Sequence, residues 1–169
     1  VNAFFRWEFN SCEMLVKDGV VYPIDYANAC PDVAVTSLHY YFPWAMKALL
    51  RWSTWCVVTD RKPRFQVDSD PWFAIADNGD LDYKAKLTAY QGLADDYFET
   101  ERYKEWCESS MGHVDEMVLD WIDSDDFRKM LTSTIQQTYP THEWEKFEGH
   151  FGGLMDLWLK DESASLGRS

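Results

Sequence analysis

Apolar and polar positions alternate in short runs at the start of the chain and settle into helical periodicity after about residue 42. Two apolar stretches, Met14-Leu-Val16 and Val20-Val-Tyr-Pro-Ile-Asp-Tyr26, flank Asp18-Gly19, a pairing that predicts a two-residue β-hairpin turn. The second stretch is rich in β-branched and aromatic residues, as a half-buried strand should be. Pro23 has no N–H to donate, so the strand is expected to lie at an edge or to bulge there. An irregular loop, residues 29–37, follows.

A helix is predicted from about Phe42 to Val58, with Pro43 suited to its first turn. Trp44, Ala48, Trp52 and Trp55 recur at helical spacing and read as the face that packs onto the hairpin. Residues 60–82 read as a connector. Its basic stretch, Asp60-Arg-Lys-Pro-Arg64, is expected to be a solvated loop rather than a phosphate contact, and Asp77-Asn-Gly-Asp80 has turn chemistry. Residues 83–162 read as a helical extension. Leu87, Tyr90, Leu93 and Tyr97 mark one helix, and Met117, Val118, Trp121 and Ile122 another. A third begins at Ser124-Asp-Asp and carries Phe127, Leu131 and Ile135; the last opens at Pro140-Thr141 and carries Phe147, Phe151, Met155 and Trp158. The polar tail 163–169 is expected to fray. The fold class is therefore α+β: a hairpin and flanking helix over 1–59, then helices.

Charge and cysteine content narrow the function. A net charge of -13 argues against a nucleic-acid partner and against docking on an anionic membrane, since both need clustered Lys and Arg. No apolar run is long enough to span a bilayer. Cys12, Cys30, Cys56 and Cys107 show no CxxC or Cys/His spacing, which argues against a zinc site. Of two disulfides in an exported protein and reduced thiols in a cytoplasmic one, the second is expected, because so aromatic a chain needs no staples. His142 and His150 are eight residues apart on the last helix and lack HExxH spacing, so they are not read as a metal pair. The chain opens on Val1 without an initiator Met, two or three residues ahead of a strand, and reads as a fragment that has lost the sequence before it.

The hairpin is where chemistry concentrates. Glu13 lies five residues before Asp18 and Asp25 six after Gly19, so the two acids are expected near-opposite each other on facing strands. Two carboxylates aimed into one space repel unless a cation lies between them. Asn28 adds a neutral oxygen just past the strand, and oxygen donors of this kind suit a hard cation such as Mg²⁺. Against this stands the plainer alternative of an exposed hairpin decorated with acids.

The run Asn10-x-x-Glu13 … Asp18-Gly19-x-x-Tyr22-x-Ile24-Asp25-x-x-Asn28-x-x-Pro31-Asp32 resembles the C-terminal end of the ATP-grasp superfamily, above all its glutamate-ligase-like members. The likeness is specific over about residues 7–45 and extends in plan to the D-alanine–D-alanine ligases. It implies that Glu13, Asp25 and Asn28 hold Mg²⁺ against the terminal phosphates of ATP, with Asp25 bridging two ions. It further implies that Asn10 contacts phosphate or substrate, and that Ser37, in the loop beside the acceptor, contacts a carboxylate. The reaction implied is activation of a carboxylate as an acyl-phosphate, followed by attack of an amine. Many members separate the acid and Asn by one residue, whereas Asp25 and Asn28 are separated by two. A competing acid-x-Asn triplet, Glu8-Phe9-Asn10, precedes the hairpin and is taken as coincidental.

The phosphate loop and adenine-contacting lysines of that superfamily have no counterpart in these residues. The expectation is one wall of a site for ATP and a small carboxylate or amine substrate, inactive alone. Homo-oligomerisation or association with the preceding part are the protein partners left open. The rival reading is a non-catalytic helical interaction module whose hairpin is structural.

Overall fold

The computed structural model describes residues 1–62 and 64–168, and for Ala27 the backbone alone; Pro63 of the connector and Ser169 of the tail lie outside the described residues. In chain order the elements are α1 (Asn2–Phe5), β1 (Ser11–Lys17), β2 (Val20–Asn28), α2 (Val35–Leu38), α3 (Phe42–Val58), α4 (Asp70–Asp77), α5 (Tyr83–Phe98), α6 (Thr100–Ser110), α7 (His113–Ile122), α8 (Asp125–Thr138) and α9 (Trp144–Ser165). Short 3-10 turns at His39–Tyr41 and Thr141–Glu143 lead into α3 and α9. The fold is α+β, with one antiparallel strand pair among the described residues.

The chain divides into two compact units, each assembled from two separate stretches of sequence. The first comprises Val1–Pro31 and Thr59–Trp106, and the second Asp32–Val58 and Cys107–Ser169. This division crosses the linear zones read from the sequence, because α5 groups with the hairpin while α3 groups with the later helices.

In the first unit, α5 packs against both α1 and α4. The contact is aromatic: Trp72 of α4 stacks on Tyr90 of α5 at 5.8 Å, and Phe4 of α1 meets Trp72 edge-on at 5.7 Å. Helix α4 lies inside the stretch read as a connector. Pro71 at its first turn and Asp70 beside it start it, and Trp72 and Ile75 provide its apolar side. Asp82 caps α5 by accepting from the Ala85 N–H at 2.8 Å. Lys86 of α5 donates to the carbonyl of Ala76 at 2.6 Å, occupying an acceptor at the end of α4.

The second unit is a helical assembly around a continuous apolar core. Helix α3 packs chiefly on α7, α8 on α9, and α7 on both α8 and α9. Val114, Ile122, Phe127, Ile135 and Met155 are wholly buried, each on the apolar stripe of its own helix. Ser124 caps α8 through the Phe127 N–H, as its sequence indicates. The aromatic stripe of α3 is turned from the expected one. Trp55 is buried as expected, but Trp44 and Ala48 are exposed, and Phe42 and Ala45 are buried in their place. The reason is that α3 is built into the helical core, whose contacts select a face about one residue round the helix from the tryptophan row. Polar ties reinforce that core: Lys47 of α3 reaches Asp115 of α7 at 3.1 Å and Glu162 of α9 at 2.7 Å, and Arg51 pairs with Asp115 at 2.7 Å. The tail is tied down in part, with α9 running to Ser165 and Arg168 pairing with Asp120 at 2.7 Å.

Candidate functional site

Asp18 and Gly19 both adopt positive φ, 52° and 76°, the pair of left-handed positions that a type I′ turn requires. That turn pairs Lys17 with Val20 and sets the register up the ribbon, Leu15 opposite Tyr22 and Met14 opposite Pro23. The register then slips twice, and both extra residues lie on β2. One slip falls next to Pro23, where the missing donor breaks the ladder. Its result is that Glu13 stands directly opposite Asp25.

The second slip leaves Asn28 opposite Ser11. In a regular strand, residues three apart face opposite sides, so Asp25 and Asn28 would diverge. Ser11 and Glu13, two apart on β1, share a face, and cross-strand partners share a face with each other. The bulge therefore returns Asn28 to the side of Glu13 and Asp25. By register, the two acids and the amide form one oxygen-bearing patch, and all three residues are exposed.

The other face of β1, bearing Cys12 and Met14, closes a cavity of about 470 Å³ together with Asn10, Tyr26, Trp72 and Tyr90. The acid pair thus points away from the aromatic contacts of its own unit. Among the described residues no three His, Cys, Asp or Glu side chains are grouped to hold a metal ion. A cation at this patch would be held by two carboxylates and an amide, with its remaining coordination from phosphate and water, a donor set that suits Mg²⁺.

Asn10 has a structural task. Its Nδ2 donates to Oδ1 of Asn2 at 2.9 Å and to the Tyr26 carbonyl at 3.0 Å, fastening the start of β1 to both α1 and β2. Its Oδ1 is sealed from solvent without a hydrogen bond. Ser37 belongs to the second unit, on α2 rather than in the expected loop, and its hydroxyl donates to Asp32 just ahead of that helix at 2.5 Å. His39 and His150 also meet there, ring centroids 6.1 Å apart, with the His39 ring edge-on to Phe151 at 5.3 Å.

The basic stretch after α3 departs from its expected solvated state. The side chain of Arg61 is only 6% exposed and pairs with Glu99 at 2.8 Å and Glu8 at 3.5 Å. It also donates to the Tyr97 carbonyl at 2.7 Å. The Tyr97 hydroxyl in turn donates to Glu8 at 2.7 Å. Burial, then the hydrogen bond to the Glu8 carboxylate, pushes the Tyr97 phenol up to about 12. Arg6, Arg61 and Arg64 all lie over the Tyr97 ring, at 4.6, 5.3 and 5.8 Å from its centroid. Glu8, set aside in the sequence as part of a chance triplet, is thus integral to this cluster. Its partners come from stretches 36 or more residues apart, so no local motif announces them. Lys62 remains at the surface, paired with its neighbour Asp60.

Comparison with protein-family models, with curated proteins and with solved structures returns no match for this chain. No helix among the described residues is long and apolar enough to cross a membrane.

Proposed function

We propose that this chain carries the metal-binding strand pair of an ATP- and Mg²⁺-dependent carboxylate–amine ligase of the ATP-grasp type. The observation that supports it is the register: Glu13 opposite Asp25, with Asn28 returned to the same face by a bulge. Directly opposed strand residues have Cβ atoms about 4.5–5.5 Å apart, a spacing from which two carboxylates can share one ion with bonds of about 2.1 Å. The bulge also answers the two-residue gap between Asp25 and Asn28, since it lets that spacing do what a one-residue gap does in a regular strand. Bound Mg²⁺ would neutralise charge on the phosphoryl group as a carboxylate is activated. The part of this chain is to hold the acids and the amide in a fixed fork on a ribbon braced by its turn.

The exposed state of the patch supports a shared site whose nucleotide pocket is supplied from outside these residues. The rival reading, a helical interaction module with a structural hairpin, draws on the self-contained helical core of the second unit. The two separate on metal binding. Under the ligase reading, Mn²⁺ titrated into the protein should broaden the amide resonances of Glu13, Asp25 and Asn28 first, and Glu13→Gln with Asp25→Asn should remove the effect. Broadening spread evenly over the acidic surface would favour the rival. Where this chain is joined by a nucleotide pocket, Asp25→Ala should abolish Mg-dependent ATP hydrolysis.

A further inference from the structure

Among the described residues every arginine except two makes an ion pair: Arg51, Arg61, Arg102, Arg128 and Arg168 all do. The exceptions are Arg6 and Arg64, whose guanidinium groups make neither ion pair nor hydrogen bond among the described residues, yet lie over the same tyrosine ring. In a chain of net charge -13, two guanidinium groups in one place without an ion-pair partner are unexpected. Arg6 is half-buried, and its Nε is sealed from solvent without an acceptor, a loss that protein interiors avoid. The Arg6 backbone sits in the left-handed region, φ 62°, where α1 ends, which fixes the direction in which its side chain leaves.

Both arginines line a cavity of about 130 Å³ whose other charged residues are Asp68 and Asp96. Neither aspartate pairs with an arginine there. The Asp96 carboxylate makes no hydrogen bond among the described residues, and that of Asp68 accepts only a long one, 3.4 Å, from the Asp70 N–H. Two guanidinium groups and two carboxylates, brought from three separate stretches of backbone, thus line one small space without forming an ion pair among the described residues. Trp72 and Tyr97 supply the apolar surface between them.

We infer that this cavity is a binding site for a small zwitterion, a molecule with a carboxylate for Arg6 and Arg64 and a primary ammonium for Asp68 and Asp96. A simple anion would meet two carboxylates, and a cation would meet two guanidinium groups; only a ligand with both charges uses all four. Arg suits the carboxylate end because its planar fork can donate two parallel hydrogen bonds. The volume equals about four waters at roughly 30 Å³ each, which accepts a small amino acid. A nucleotide or drug-sized ligand needs a pocket of about 300 Å³ or more. The inference uses no residue of the hairpin and does not rest on the ligase reading.

The test is a titration of the whole chain with glycine, β-alanine and L-alanine, followed by the Trp72 indole N–H resonance. Acetate and methylammonium serve as half-ligands. At least one zwitterion should saturate with a dissociation constant on the order of millimolar, and both half-ligands should bind at least about tenfold more weakly. Arg6→Gln and Asp96→Asn should each weaken binding about tenfold or more. Asp96 is exposed on α5, so its variant keeps the fold if Arg6→Gln does not. Acetate binding as tightly as the zwitterions, an unchanged affinity in Asp96→Asn, or no saturation by about 100 mM would each overturn the assignment.

Discussion

The two units bury their apolar residues to very different extents. Of the buried hydrophobic side chains among the described residues, only Ala3 and Tyr97 belong to the first unit; all the others, from Val35 to Trp158, belong to the second. The first unit instead exposes apolar residues along both strands, from Met14 at 53% and Val16 at 69% to Ile24 at 56%. The cause is geometric. Long amphipathic helices have one apolar stripe each and can close those stripes on one another. A two-stranded ribbon has two faces and two open edges, and is at best marginally stable in water without a further layer. The second unit therefore holds itself together by packing. The first relies on aromatic stacking and on the Arg61–Glu8–Tyr97–Glu99 cluster, and it leaves its ribbon bare. Contiguous exposed apolar surface of this kind marks a surface used for contact.

The sharpest test of that contrast lies in the helical core. Phe127 is fully buried, and Phe127→Ala should cost about 3–5 kcal/mol in urea unfolding, the sum of lost transfer energy and a cavity. A loss below about 1 kcal/mol would mean the second unit is no better packed than the first. Next in size is Lys47, 12% exposed and shared between Asp115 and Glu162. Lys47→Met keeps an unbranched apolar chain but removes the ammonium that lies over Trp158 and leaves two carboxylates without their common partner. The expected loss is about 1.5–3 kcal/mol, reduced at high salt.

What the sequence made legible follows the same divide. The hairpin, its Asp-Gly turn and the near-opposite placing of Glu13 and Asp25 could be read directly, because turn chemistry and residue counts from the turn are local, whereas their direct pairing needed the slip beside Pro23. The helices of the second unit were equally plain, down to the Ser124 cap and the stripe Phe127, Leu131, Ile135. The buried face of α3 was misjudged because Trp44 and Trp52 outweigh Phe42 and Ala45 in bulk, while burial is decided by partners remote in sequence. Helix α4 was hidden because Pro71 and the flanking acids look like connector until Pro is recognised as a helix starter. Of the candidate site, the ribbon was visible, but the bulge that returns Asn28 to the acid face was not, since register slips depend on the ladder rather than on residue type. The Tyr97 cluster left no trace because its members converge only in three dimensions.

Tyr97 offers a smaller effect with a definite sign. Its phenol is raised from 10.0 to about 12 by burial and by the hydrogen bond to Glu8, so the folded unit holds this proton more tightly than the unfolded chain. The resulting stabilisation is fully present below about pH 10 and is lost as pH rises through about 12. Tyr97→Phe should cost about 1 kcal/mol at neutral pH, from the lost bond to Glu8. It should also flatten the decline in stability between about pH 10 and 12. Tyrosinate absorbance should show one fewer late-ionising phenol in the variant than in the parent, with Tyr40, raised by its hydrogen bond to Asp161, remaining in both. Equal alkaline slopes in the two proteins would remove Tyr97 as a support of the first unit.

The smallest effect is expected on the ribbon itself, and it decides whether the bare surface is bare in solution. Leu15 and Val16 are 59% and 69% exposed, so replacing both with Thr keeps β propensity while removing little buried area. Stability should stay within about 0.5 kcal/mol of the parent, as for exposed positions generally. A loss above about 1.5 kcal/mol would show that something covers these residues when the protein is folded. If that cover were a second copy of the chain, the loss would grow with protein concentration in the parent and vanish in the variant, by mass action. A loss independent of concentration would instead mean that the first unit folds its own surface over the ribbon. The contrast between a closed helical unit and an open β unit would then no longer hold.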